Sequence, residues 1–123
     1  MQLSQNSEPQ YDLYLIDKMC RGNQEQIVNM VAVFVDEISQ SIHEINAAFA
    51  VKDFSALKKL THKVKPTLTY FGVAKLEKEL LEIDSMLLQN FDVNELGLKL
   101  SNLTNLTATV VEQMKNDFNL KNK

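Results

Sequence analysis

The stretch LTHKVKPTLTYFG, Leu60–Gly72, decides how many long helices the chain contains. Leu57, Leu60, Val64, Leu68 and Phe71, with Thr61 on the same stripe, recur at spacings of three and four residues, the period of a helix with one buried face. Pro66 interrupts this pattern. Proline lacks the N–H that bonds the carbonyl four residues back, and a helix-interior position costs about 3 kcal/mol. Because the apolar stripe keeps its phase across Pro66, the stretch predicts one continuous, kinked helix. Asp53 is its expected N-cap, and Gly72 ends it near residue 71.

The same period runs outward in both directions. YDLYLIDKMCRG predicts a short first helix closed by Gly22. Asn23 with Gln26 three residues later resembles a capping box, opening a helix from about 24 to about 50 that carries Ile27, Val31, Phe34, Ile38, Ile42 or Ile45, and Phe49 on one face. Val73, Leu76, Leu80, Ile83 and Leu87 mark the next helix. NFDVN reads as a loop, and Leu96, Leu100, Leu103, Val110, Met114 and Phe118 mark the last helix. Met19, Met30, Met86 and Met114 are expected as core fillers. No strand signal competes. Long amphipathic helices on short loops specify an all-α fold, an antiparallel four-helix bundle with a short N-terminal lead-in helix. The division expected is a polar segment over 1–10 and a single bundle domain over 11–121.

A chain of 123 residues supports one domain of this kind and not two. The net charge of −3 speaks against a nucleic-acid binder, which carries a basic face. Cys20 is the only cysteine, so no internal disulfide forms and a reducing compartment suits the chain. The longest apolar run, VAVFV at 31–35, is far shorter than a membrane span. A soluble, cytoplasmic protein without direct membrane contact is expected.

His62 points roughly 150° from the centre of its helix's apolar stripe, which places it toward solvent. Lys58, Lys59, Lys65 and Pro66 share its face, and Thr69 follows one turn on. Between Phe54 and Leu76 stand five lysines (Lys58, Lys59, Lys63, Lys65, Lys75) and no acid, so this segment is +5 while the remainder is −8. A positive patch around an exposed histidine, in an otherwise acidic chain, suits an anion or an acidic protein surface. A neutral imidazole supplies a nitrogen nucleophile for in-line attack on a phosphoryl group. A nearby ammonium offsets charge on the equatorial oxygens, and Lys65 is best placed for that. Hydrolytic catalysis and metal binding fit poorly: there is no serine or cysteine partner for His62, no His-x-x-x-His, no Glu-x-x-His and no cysteine pair. His43, beside Glu44 and away from any basic cluster, is not a candidate.

HKVKPTLTYFG resembles the signature of histidine-containing phosphotransfer (HPt) domains, a histidine followed by lysine at +3, a small residue at +4 and glycine at +10. Here these are His62, Lys65, Pro66 and Gly72. The short opening helix, the Gly22-Asn23 turn and the inward phenylalanine of the following helix extend the resemblance from about Tyr11 to about Asn90. The last helix is similar only in character. The resemblance implies a four-helix bundle with a helical lead-in. It further implies a phosphocarrier without autokinase activity, which takes a phosphoryl group from the phospho-aspartate of a response-regulator receiver domain and relays it to another receiver. A hybrid sensor histidine kinase is a further implied partner. By the same resemblance His62 is phosphorylated through its outward nitrogen and Lys65 stabilises the phosphoryl group. Lys58, Lys59, Lys63, Pro66 and Thr69 would face the partner. No cofactor is implied for the chain itself, Mg²⁺ belonging to the receiver's acidic site.

Two positions depart from the family's pattern. Many members carry glycine where Pro66 stands; the compact proline ring answers the same need for clearance beside the histidine. Asp84 occupies a position on the following helix where some members place a glutamine that bonds the active histidine. An aspartate there would orient the His62 ring, or else be a solvated flank. Two rival readings remain. The dimerisation domain of a sensor histidine kinase has an acid directly after its histidine and proline at +5, where this chain has Lys63 and proline at +4. That fragment would be a stable dimer, whereas a bundle complete in one chain is a monomer. A helical scaffold without chemistry is the other rival, for which His62 would be dispensable.

Overall fold

The computed structural model describes residues 10–120, so most of the expected polar segment 1–10, and the expected domain end at 121, lie outside the described residues. Five helices follow one another: α1 (Tyr14–Met19), α2 (Gln24–Ala50), α3 (Phe54–Tyr70), α4 (Ala74–Leu87) and α5 (Val93–Asp117). No strand occurs among the described residues. Their boundaries follow from local chemistry. Asn23 Oδ1 accepts from the Gln26 N–H at 3.0 Å and Asp53 Oδ1 from the Ala56 N–H at 3.0 Å, each satisfying a first-turn donor that its helix leaves unpaired. Asp92 caps α5 through the Asn94 and Glu95 N–H groups. The last helix therefore begins at Val93, inside the segment expected as a loop. Pro66 lies within an unbroken α3, as the phase of the apolar stripe demands.

Loops of a few residues join α2 to α3, α3 to α4 and α4 to α5, so sequential neighbours pack antiparallel, and α5 closes the bundle against α2. The core is built from the predicted stripes, with Phe34, Ile38, Ile45, Leu57, Leu68, Leu76, Leu80, Ile83, Leu96, Leu100 and Leu103 fully buried. Both Ile42 and Ile45 are buried, so the face of α2 is wider than one stripe. Phe34 stacks on Phe71 with ring centroids 4.3 Å apart, joining α2 to the end of α3. Met114 is buried and Met30 and Met86 are partly buried, but Met19 is 52% exposed and is no core filler. It occupies the last turn of a six-residue helix whose one buried position is Ile16.

The lead-in is tied down to the α3–α4 turn and to α5. The Asp12 N–H donates to the Gly72 carbonyl at 3.1 Å, and the Gln10 N–H to Gln113 Oε1 at 2.8 Å. The Tyr11 hydroxyl donates to Asp117, and burial, that hydrogen bond and the carboxylate's charge push the Tyr11 phenol up. Gly72 adopts φ +64°, and a Cβ there would collide with the backbone of Asp12. The glycine that ends α3 is thus also the seat of the lead-in, which lets Ile16 reach the core.

Candidate functional site

His62 stands exposed on the outer face of α3, with Lys58, Lys59, Lys63 and Pro66 exposed around it. Neither His62 nor any of the three lysines Lys58, Lys59 and Lys63 forms an ion pair or side-chain hydrogen bond among the described residues. The imidazole and the three ammonium groups are therefore free to meet an anion. His43 is likewise exposed, on α2. Thr69, also exposed, has its hydroxyl engaged by Glu77 of α4 and near the Lys65 carbonyl. Its hydroxyl is therefore already engaged within the chain.

Lys65 and Asp84 form a unit of their own. The Lys65 Nζ lies 2.9 Å from Asp84 Oδ2, and its side chain is 29% exposed. Thr61, one turn before Lys65 on α3, donates to Asp84 Oδ1 at 2.7 Å while also lying 3.0 Å from the Lys58 carbonyl. Thr61 and Lys65 are four residues apart, so both face α4, and one carboxylate bridges them. This corrects two expectations. Asp84 is not a solvated flank, being only 8% exposed. Nor does it hold the His62 ring: its partners are Thr61 and Lys65.

The protonation of Asp84 follows from this setting. Burial is the largest single effect and pushes its carboxyl up. The adjacent Lys65 ammonium, the hydrogen bond from Thr61 and the charge of His62 outweigh burial and hold the pKa below its ordinary 3.8. A depressed folded-state pKa contributes stability that is complete above the ordinary value and is lost as pH falls through the folded value. Asp84→Asn should therefore lower stability at neutral pH, and its difference from wild type should fade in acid, below pH 3.8. Urea unfolding of both proteins from pH 7 down to about pH 2 measures it. A gap that stays constant across that range would show that the charge of Asp84 does not support the fold.

No protein-family model, curated protein or solved structure matches the chain. Among the described residues no group of three or more His, Cys, Asp or Glu side chains could hold a metal ion, and no helix is long and apolar enough to cross a membrane.

Two features escaped the sequence. Thr61 was placed on the buried stripe without a role, yet a hydroxyl among aliphatic side chains needs a partner. Asp84 follows Leu80 by four residues and so shares the apolar stripe of α4, which makes it the complementary signal. The second feature is an apolar groove of about 510 Å³ between α1, α2 and the end of α3, lined by Met19, Met30, Val33, Phe34 and Tyr70 among others. Met19, Val33 and Tyr70 are exposed at its rim. It opens where Thr67 and Tyr70 continue the helix that carries His62.

Proposed function

We propose that the protein is a histidine phosphotransfer domain of a two-component phosphorelay, accepting a phosphoryl group on His62 from a receiver phospho-aspartate and passing it to a second receiver. The observation that carries this reading is an exposed imidazole on an unpaired lysine face of an otherwise acidic bundle, with a fourth lysine held one turn away by a buried carboxylate. In the forward step a neutral His62 ring nitrogen forms the N–P bond as the acyl-phosphate P–O bond breaks. The electron pair of that bond leaves with the receiver's carboxylate. Lys65 retains ammonium donors beyond the one directed at Asp84, and these offset the charge on the equatorial oxygens. Pro66 follows without a long side chain, leaving room for the receiver. The lysines supply attraction to an acidic receiver site, and the neighbouring groove supplies apolar area that charge alone does not.

In this reading the chain is a phosphocarrier in the cytoplasm, not an autokinase. It acts as a monomer, and Mg²⁺ is contributed by the receiver. A kinase dimerisation fragment needs a second chain to complete its bundle, whereas α2 to α5 close one here.

The test is transfer from a receiver carrying labelled phospho-aspartate, with Mg²⁺, to the wild-type protein and to His62→Gln. Label should appear on the wild type alone, labile in acid and stable in alkali as phosphohistidine is. Complete loss in a His62→Gln protein with unchanged helicity is expected, since the exposed ring contributes nothing to the core. Absence of label from every receiver tried, with the wild type folded and monomeric, would leave a scaffold as the better reading.

A further inference from the structure

We propose that Asp84 is a positioning residue for phosphoryl transfer that acts through Lys65, a role that rests on the function proposed above. The geometry gives it three parts. Thr61 and Lys65 flank His62 in sequence and both turn toward α4, where they meet the two oxygens of one carboxylate. Thr61 donates to Oδ1 at 2.7 Å, and Oδ2, which accepts no hydrogen bond of good geometry, lies 2.9 Å from the Lys65 ammonium as an ion pair. Asp84 is buried, so its own position is set by the packing of α4 rather than by solvent.

A lysine on a helix surface samples many rotamers, and most place its ammonium away from a neighbour three residues back. Pairing it with Asp84, on the helix turn that follows His62, restricts that search before the phosphoryl group arrives, and an ammonium with three donors can serve both the carboxylate and a phosphoryl oxygen. Lys58, Lys59 and Lys63 have no such tether among the described residues, although they are closer together in sequence. The clamp therefore distinguishes one lysine of the patch for the chemistry and leaves the others to meet the partner. It also neutralises the carboxylate, which would otherwise repel the incoming dianion.

The experiment is a double-mutant cycle on the rate of label transfer from a phosphorylated receiver to His62, using wild type, Asp84→Asn, Lys65→Ala and the double variant. Asparagine keeps the size of the side chain and an oxygen for Thr61. Asp84→Asn alone should slow transfer about tenfold, the order expected when a flexible lysine must be ordered during the step. In the Lys65→Ala background the same substitution should have no further effect, because there is no ammonium left to position. Equal slowing in both backgrounds would overturn the proposal, as would faster transfer in Asp84→Asn. Label on no variant and none on the wild type would overturn the proposed function together with this role, whereas label on the wild type with an additive cycle would overturn this role alone. Should Asp84→Asn fail to fold, the wild-type protein decides by NMR: the Lys65 ammonium should show slowed exchange with water and a correlation to the Asp84 carboxyl carbon, and absence of both would end the proposal.

Discussion

Gly72→Ala should destabilise the protein far more than Gly22→Ala, although both glycines have positive φ. At Gly22 the backbone sits at φ +73° with nothing within 4 Å of an added Cβ. The substitution there carries only the strain of a left-handed alanine, about 1–2 kcal/mol. At Gly72 the same strain applies at φ +64°, and the Cβ would also meet the carbonyl and amide of Asp12, which are backbone atoms and cannot rotate aside. The lead-in must then lift, breaking the 3.1 Å bond between Asp12 and Gly72 and withdrawing Ile16 from the core. Loss of a buried isoleucine's contacts lies in the range of about 2–5 kcal/mol. A total of about 3–7 kcal/mol is expected for Gly72→Ala. Denaturant midpoints for the two variants measure the difference, and equal losses would show that the lead-in does not rest on Gly72. The glycine at +10 in the HPt-like signature thus has a mechanical reason in this fold.

Phe34→Ala is expected to lower stability by about 3–5 kcal/mol, the range for a large aromatic removed from a packed interior. Phe34 is 1% exposed and stacks at 4.3 Å on Phe71, so its loss unpairs the ring that closes α3 as well as opening a cavity. A domain of this size has roughly 5–15 kcal/mol to lose, so a marked fall in the unfolding midpoint should be visible. Phe34→Leu is the control and should lose less than half as much, since most of the volume remains. If the alanine variant lost under about 1 kcal/mol, the α2 face would not be packed as described.

Much of the fold was legible because its signals are local. Asn23 and Asp53 cap helices with N–H groups three residues away, and the stripes on α2 to α5 repeat within each helix. The continuity of α3 across Pro66 was legible for the same reason, since apolar phase is kept on both sides of the proline. The outward side of Met19 is not legible, because α1 is too short for a periodic pattern to define its face. The start of α5 at Val93 precedes the first residue of its apolar stripe, so only the Asp92 cap marks it.

The site divides along the same line. His62 could be set facing solvent from the angle between it and its own helix's stripe, and the lysine face followed from counting charges along one segment. The partner of Asp84 could not. Thr61 lies 23 residues from it, across the end of α3, a loop and most of α4, and which of His62, Thr61 or Lys65 it meets depends on how α4 is rotated against α3. The groove has the same origin, because Met19, Val33 and Tyr70 come from three elements and form one surface only after packing. The sequence by itself determined the helices, their buried faces and the exposure of His62, all of which rest on interactions within a few residues. Only the tertiary structure decided that a buried carboxylate pairs with Lys65 and Thr61, because the rotation and depth of α4 are set by the whole core at once.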